Sequence, residues 1–137
     1  MLLDKTYLCT MSKRILLVED NEDWRRMAAG SLKEAGYEVI GVSGASEAAL
    51  QKDEPNLSLI VLDLDLGGEN GLMLMKHLKK HHPGTPILIY TGMEPDQQAV
   101  QRMRDQGADF FLRKGAMSEL IEVVRQRISA CSPKDSE

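Results

Sequence analysis

The chain has 137 residues, 42% of them apolar and 28% charged, which is enough for one folded domain and too little for a second. Its 17 Lys and Arg against 21 Asp and Glu leave a net charge of −4, so the basic footprint of phosphate-backbone binding is missing and direct nucleic-acid binding is not expected. The longest strongly apolar stretch, Leu57 to Leu62, is far shorter than the roughly 18 residues of a membrane span, and Met1-Leu2-Leu3-Asp4-Lys5 lacks the basic start and long apolar core of a secretory signal.

Residues 1–12 read as an N-terminal extension. Arg14 to Val18 predicts the first strand. Trp24, Met27, Ala28, Ser31, Leu32 and Ala35 then recur at three- and four-residue intervals, and Gly36 stands where a left-handed cap is wanted: an amphipathic helix with a stop. Glu38 to Val42 is a second strand, Ala45 to Gln51 a short helix ended by Pro55, and Leu57 to Leu62 a third strand. Leu72 to His81 makes the next helix, ended by Pro83-Gly84, and Pro86 to Tyr90 the fourth strand. Pro95 to Gln106 is a helix with Pro95 in its first turn and Gly107 as its cap, and Asp109 to Arg113 a fifth strand. The last helix, Met117 to Ser129, gathers Leu120, Ile121, Val123, Val124 and Ile128, and residues 131–137 are a polar tail. Cys9 and Cys131 lie near the chain ends, where a disulfide framework is not expected, and a reducing cytoplasm is the simplest location.

Five strands alternating with five helices predict an α/β fold: an open, doubly wound parallel sheet with right-handed crossovers and helices on both faces. The third strand, apolar from Leu59 up to Asp63, suits the centre of the sheet. Ligands of such sheets bind beyond the carboxyl ends of the strands. At those ends stand Glu19 and Asp20 after the first strand, Asp63 after the third, Thr91 after the fourth and Lys114 after the fifth.

Singly, an acidic residue after a strand is a helix cap, a Thr a turn residue and a Lys a solvated charge. Together, three converging carboxylates repel one another unless a cation or a proton compensates. Hard carboxylate oxygens with no Cys or His among them suit Mg²⁺. With a hydroxyl from Thr91 and an ammonium from Lys114, the site can hold a phosphoryl group, and an Asp carboxylate can attack phosphorus in line.

These residues resemble the receiver domain of two-component response regulators. The resemblance is carried by Ile15-Leu16-Leu17-Val18-Glu19-Asp20-Asn21, Leu59-Ile60-Val61-Leu62-Asp63-Leu64, Gly71-Leu72, Pro86 to Gly92 and Gly107 to Lys114, and it covers residues 13–130. It implies a flavodoxin-like strand order, 2-1-3-4-5. It also implies that Asp63 is the phosphoacceptor and that Asp20 and Asp63 bind Mg²⁺ directly. Glu19 would act on the metal through water, and Asp65 would offer it a backbone carbonyl. Thr91 would shift to meet the phosphoryl group, Lys114 would pair with it, and Phe111 matches the aromatic whose rotation reports phosphorylation. The implied partners are a histidine kinase or histidine phosphotransfer protein as donor, and an output protein or a second receiver as reader. The chain would be a signalling phosphoacceptor that catalyses its own phosphorylation and slow dephosphorylation, and no membrane partner is expected.

Two other readings compete. Asp63-Leu64-Asp65 after an apolar run is similar to the nucleophile motif of haloacid-dehalogenase-like phosphatases, but there the nucleophile lies on the first strand, and here Glu19-Asp20 precedes it. A degenerate receiver that only binds a partner is the third class. Several residues depart from the receiver pattern. Gly115 follows Lys114 where the family usually has a cis-Pro, so a trans bond is expected, and Gly67 stands where Pro is common. Asp65 adds a carboxylate beside the phosphoryl route; its side chain is read first as pointing to solvent, and alternatively as helping, with Met93, to set the lifetime of the acyl phosphate. Trp24 either packs on the core or stands exposed as an anchor for a partner. His77, His81 and His82, near Lys79 and Lys80, read as a solvated basic helix end, and Met73, Met75 and Met103 as core fillers.

Overall fold

A computed structural model of the chain describes residues 13–44, 47–48, 57–63, 65–66, 69–92 and 96–128. Strands β1 (Arg14–Val18), β2 (Glu38–Val42), β3 (Leu57–Leu62), β4 (Ile87–Thr91) and β5 (Phe110–Arg113) form one parallel sheet in the order β2-β1-β3-β4-β5. Helices α1 (Glu22–Glu34), α2 (Gly71–His81), α3 (Gln97–Asp105) and α4 (Met117–Ile128) cover its two faces. Of the predicted helix over Ala45 to Gln51, Glu47 and Ala48 are helical and the rest lies outside the described residues, as do residues 1–12 and 129–137. Among the described residues no helix is long and apolar enough to cross a membrane.

The alternation of side chains along each strand divides the core in two. Leu16, Val18, Ile60, Leu62, Ile87 and Ile89 pack under α2 and α3 against Leu74, Met75, Leu78 and Met103. Ile15, Leu17, Leu59, Val61, Leu88 and Tyr90 face α1 and α4, against Ala28, Leu32, Leu120, Val124 and Ile128. Because both faces are covered, Ile15–Val18 of β1 and Leu59–Leu62 of β3 read as unbroken apolar runs rather than alternating ones.

Helix ends follow local chemistry. Asn21 caps α1 by accepting the Trp24 backbone N–H at 2.9 Å, so the helix starts at Glu22, two residues before Trp24, rather than at it. Gly36 takes φ 103° after α1 and Gly107 φ 119° after α3, both as expected of glycine stops. In α3 the cap is Asp96, whose carboxylate accepts the Ala99 N–H at 2.8 Å, so the helix begins at Gln97; Pro95 lies outside the described residues.

Three other expectations change. Met73 is 70% exposed on α2, pointing away from the core that takes Met75 and Met103. His82 is buried in the turn after α2, its N–H donating to the Leu78 carbonyl and its own carbonyl accepting the Thr85 N–H. His77 packs against His81 with ring centroids 4.5 Å apart and planes tilted by 55°, and its Nε2 is shielded, so only part of this helix end is solvated. Beyond Asp63, Asp65–Leu66 pairs antiparallel with Glu69–Asn70, a small hairpin no periodicity announced.

Candidate functional site

Strand register builds the site. Val18 lies level with Val42 and Leu62, so the residues that follow, Glu19 and Asp63, leave the sheet side by side. Their backbones are held there: Glu19 N–H donates to the Val42 carbonyl and Asp63 N–H to the Val18 carbonyl, each at 3.0 Å. On the other side Thr91 pairs with Arg113, and Lys114 N–H donates to the Thr91 carbonyl at 2.7 Å. All five predicted residues therefore share the carboxyl edge. Glu19, Asp63 and Thr91 are 2%, 3% and 4% exposed, and Asp20 stands open to solvent.

The Lys114 ammonium bridges two buried carboxylates, at 2.5 Å from Glu19 Oε1 and 3.2 Å from Asp63 Oδ2. Glu19 is tied further by the Asn21 N–H on its Oε2 at 3.1 Å, and the Arg25 guanidinium donates to its carbonyl at 2.9 Å. Burial raises the Glu19 carboxyl above the ordinary glutamate value; Lys114 and the Asn21 N–H pull it back, and the Asp63 charge adds to the rise. For Lys114, burial favours the neutral amine, but contact with Glu19 and Asp63 outweighs it, so its pKa is raised. Burial sets the direction at Glu19, and the two carboxylates set it at Lys114.

Carboxylate oxygens of Glu19, Asp20 and Asp63 lie within 4.8 Å of one another. This all-oxygen donor set, open to solvent at Asp20, fits a hard divalent cation that keeps part of its water. Asp65 sits in the hairpin that follows, and its side chain, like Met93, lies outside the described residues. The Lys114–Gly115 bond is trans, as expected, with no cis peptide among the described residues. Phe111 is half-buried against the α2 and α3 side, with the Arg104 guanidinium 5.2 Å from its ring centroid.

Sequence reasoning missed two features. Trp24 is half-buried, its ring set edge-on to Tyr90 at 5.9 Å, and the Lys114 ammonium lies 5.2 Å from the Trp24 centroid and 5.9 Å from that of Tyr90. The available signal was position, since Tyr90 immediately precedes Thr91 and Trp24 lies in the first turn of the helix after Asp20. Second, Lys114 contacts Glu19 as well as Asp63, whereas its expected partner was a phosphoryl group.

Comparisons with known proteins agree with this geometry. The family described as the response regulator receiver domain matches residues 15–125. The response regulator protein FleR of Pseudomonas aeruginosa is 26% identical over 127 residues, covering 93% of this chain and 27% of FleR. The chemotaxis protein CheY of Thermotoga maritima is 25% identical, covering 85% of this chain and 98% of CheY. A crystal structure of a response regulator protein from Burkholderia pseudomallei, with a phosphorylated aspartic acid, calcium ion and citrate, superimposes with a TM-score of 0.75 at 27% identity, covering 90% of this chain and 73% of that one. The chain spans between 27% and 55% of the length of the first curated relatives it matches.

Proposed function

The chain belongs to the response regulator receiver domains, and on that premise we propose that Asp63 accepts a phosphoryl group from a phosphohistidine. The carrying observation is the charge imbalance at the carboxyl edge, where one ammonium faces two buried carboxylates and Asp20 stands beside them. An Asp63 oxygen would attack phosphorus as the bond from phosphorus to the donor's imidazole nitrogen breaks, leaving an acyl phosphate on Asp63. Lys114, 3.2 Å from Asp63, would pair with a phosphoryl oxygen, and the Thr91 hydroxyl would donate to another. Glu19, Asp20, Asp63 and the Asp65 carbonyl would hold Mg²⁺, which when bound offsets charge on the phosphoryl oxygens.

The same residues link chemistry to signal. Lys114 and Thr91 are joined through the backbone, so drawing both toward the phosphoryl group tugs the ends of β4 and β5 and biases Phe111, three residues before Lys114, toward the interior. The surface of α3, β5 and α4 would then favour an output partner or a second receiver. A histidine kinase or phosphotransfer protein would be the donor, with slow hydrolysis resetting the state. Glu19 and Asp20 follow the first strand and Asp63 the third, an order that does not favour the phosphatase reading, and a complete acidic, hydroxyl and ammonium set does not favour a degenerate receiver.

The test is intact mass after incubation with acetyl phosphate and Mg²⁺. The chain should gain roughly 80 Da, one phosphoryl group, and Asp63→Asn should not. An equal gain in both proteins overturns the assignment to Asp63, and rapid donor turnover with no adduct restores the phosphatase reading.

A further inference from the structure

Gly115 leaves the link after Lys114 without a side chain to brace it: a Cβ there would meet nothing nearer than a Glu119 carboxylate oxygen at 3.8 Å. The ammonium is aimed instead by four groups: the Glu19 and Asp63 carboxylates and the Trp24 and Tyr90 rings. The carboxylates are drawn on by phosphoryl transfer and by cation binding, so their hold on Lys114 changes during the reaction. The rings carry no charge to redistribute, and they brace each other edge to face at an interplanar angle of 78°. Trp24 is itself pinned. Its backbone N–H donates to Asn21 Oδ1, the Asn21 backbone N–H donates to Glu19 Oε2, and Glu19 Oε1 returns to Lys114, closing a circuit that begins and ends at the ammonium.

We propose that Trp24 and Tyr90 are positioning residues for Lys114: their rings keep the ammonium at the carboxyl edge while its carboxylate partners turn to the phosphoryl group and the cation. This rests on Asp63 as the phosphoacceptor. The rings act through electrostatic attraction between the cation and their π faces, both centroids lying within the roughly 6 Å over which it operates. Trp24 supplies the nearer face, so its loss has the larger effect.

The experiment compares Trp24→Met, which keeps apolar bulk without a ring, with Trp24→Phe, which keeps a ring. The readout is the rate of phosphoryl adduct formation across a series of acetyl phosphate concentrations at saturating Mg²⁺. The maximal rate of the Met variant should fall about fivefold, the factor that about 1 kcal/mol of cation–π attraction corresponds to. Its half-saturating donor concentration should be unchanged, and the Phe variant should stay within about twofold of wild type. Equal rates for the Met and Phe variants would show that the ring only packs, and would overturn the proposal. A second readout needs no phosphodonor. Trp24 is the one tryptophan, so its emission should shift in Lys114→Met as the charge beside the indole is removed, and an unchanged spectrum overturns the proposal as well. If wild type gains no phosphoryl group, the Asp63 reading falls and takes this proposal with it; a wild-type adduct with equal variant rates rejects the positioning alone.

Discussion

A lysine and an aspartate meet at each end of the sheet, and the two pairs do different things. At the amino end Lys79 contacts Asp109 at 3.0 Å, and both are anchored to backbone: Lys79 donates to the Thr85 carbonyl, and Asp109 accepts the Ile87 N–H. One positive charge meets one negative charge, and the pair fastens α2 to the starts of β4 and β5. At the carboxyl end Lys114 faces Asp63 and also Glu19, with Asp20 nearby. Similar ion-pair geometry serves structure where charges balance and function where negative charge is left over, because the surplus can be relieved by a cation or turned on an electrophile.

The sharpest way to break this comparison is to remove each lysine. Lys114→Met leaves Glu19 and Asp63 buried without a cation, which should cost about 3 kcal/mol in denaturant unfolding at neutral pH without Mg²⁺. It should also slow phosphorylation at least tenfold, at the scale of a lost charge-assisted contact. A variant as stable as wild type at neutral pH would show that the carboxylates are not strained by burial. Gly107→Ala should cost about 1–2 kcal/mol, because a side chain at φ 119° is strained and its Cβ would lie 3.0 Å from the Lys79 stem. Lys79→Met comes next, at about 1 kcal/mol, since that pair is partly solvated and Asp109 keeps its bond to Ile87. Both amino-end variants should be phosphorylated at the wild-type rate; a slowed Lys79→Met would mean that the two ends are coupled.

The smallest effect is a pH dependence. Burial raises the Glu19 pKa in the folded chain, so the folded state holds that proton more tightly than the unfolded chain. Between the ordinary glutamate value and the raised one, Glu19 therefore removes stability as pH rises. In chelator, Glu19→Gln should gain on wild type as pH climbs through this window and then keep its advantage to neutral pH, while binding Mg²⁺ more weakly. A stability difference that stays flat across acidic pH would contradict the assignment of the raised pKa to burial.

Much of this was legible in the sequence because its causes are local. Short apolar runs marked five strands, three- and four-residue spacing marked the faces of α1 and α4, and the glycines at 36 and 107 marked helix stops. The carboxyl-edge set was legible because strand ends in a parallel sheet all point one way, so Glu19, Asp63, Thr91 and Lys114 had to converge. What was not legible depends on three-dimensional proximity. The exposure of Met73 beside buried Met75 depends on how α2 rolls on the sheet, and the burial of His82 depends on where the following turn goes. The Trp24–Tyr90 pair joins residues 66 positions apart, as their numbers show, through packing that no short-range pattern encodes.

The most direct test of the central claim is to locate the phosphoryl group. After reaction with acetyl phosphate and Mg²⁺, borohydride reduction converts an aspartyl phosphate to homoserine, which peptide mass spectrometry can place in the sequence. The account predicts homoserine at position 63 and nowhere else. Homoserine at position 20 or 65 with Asp63 intact would contradict it.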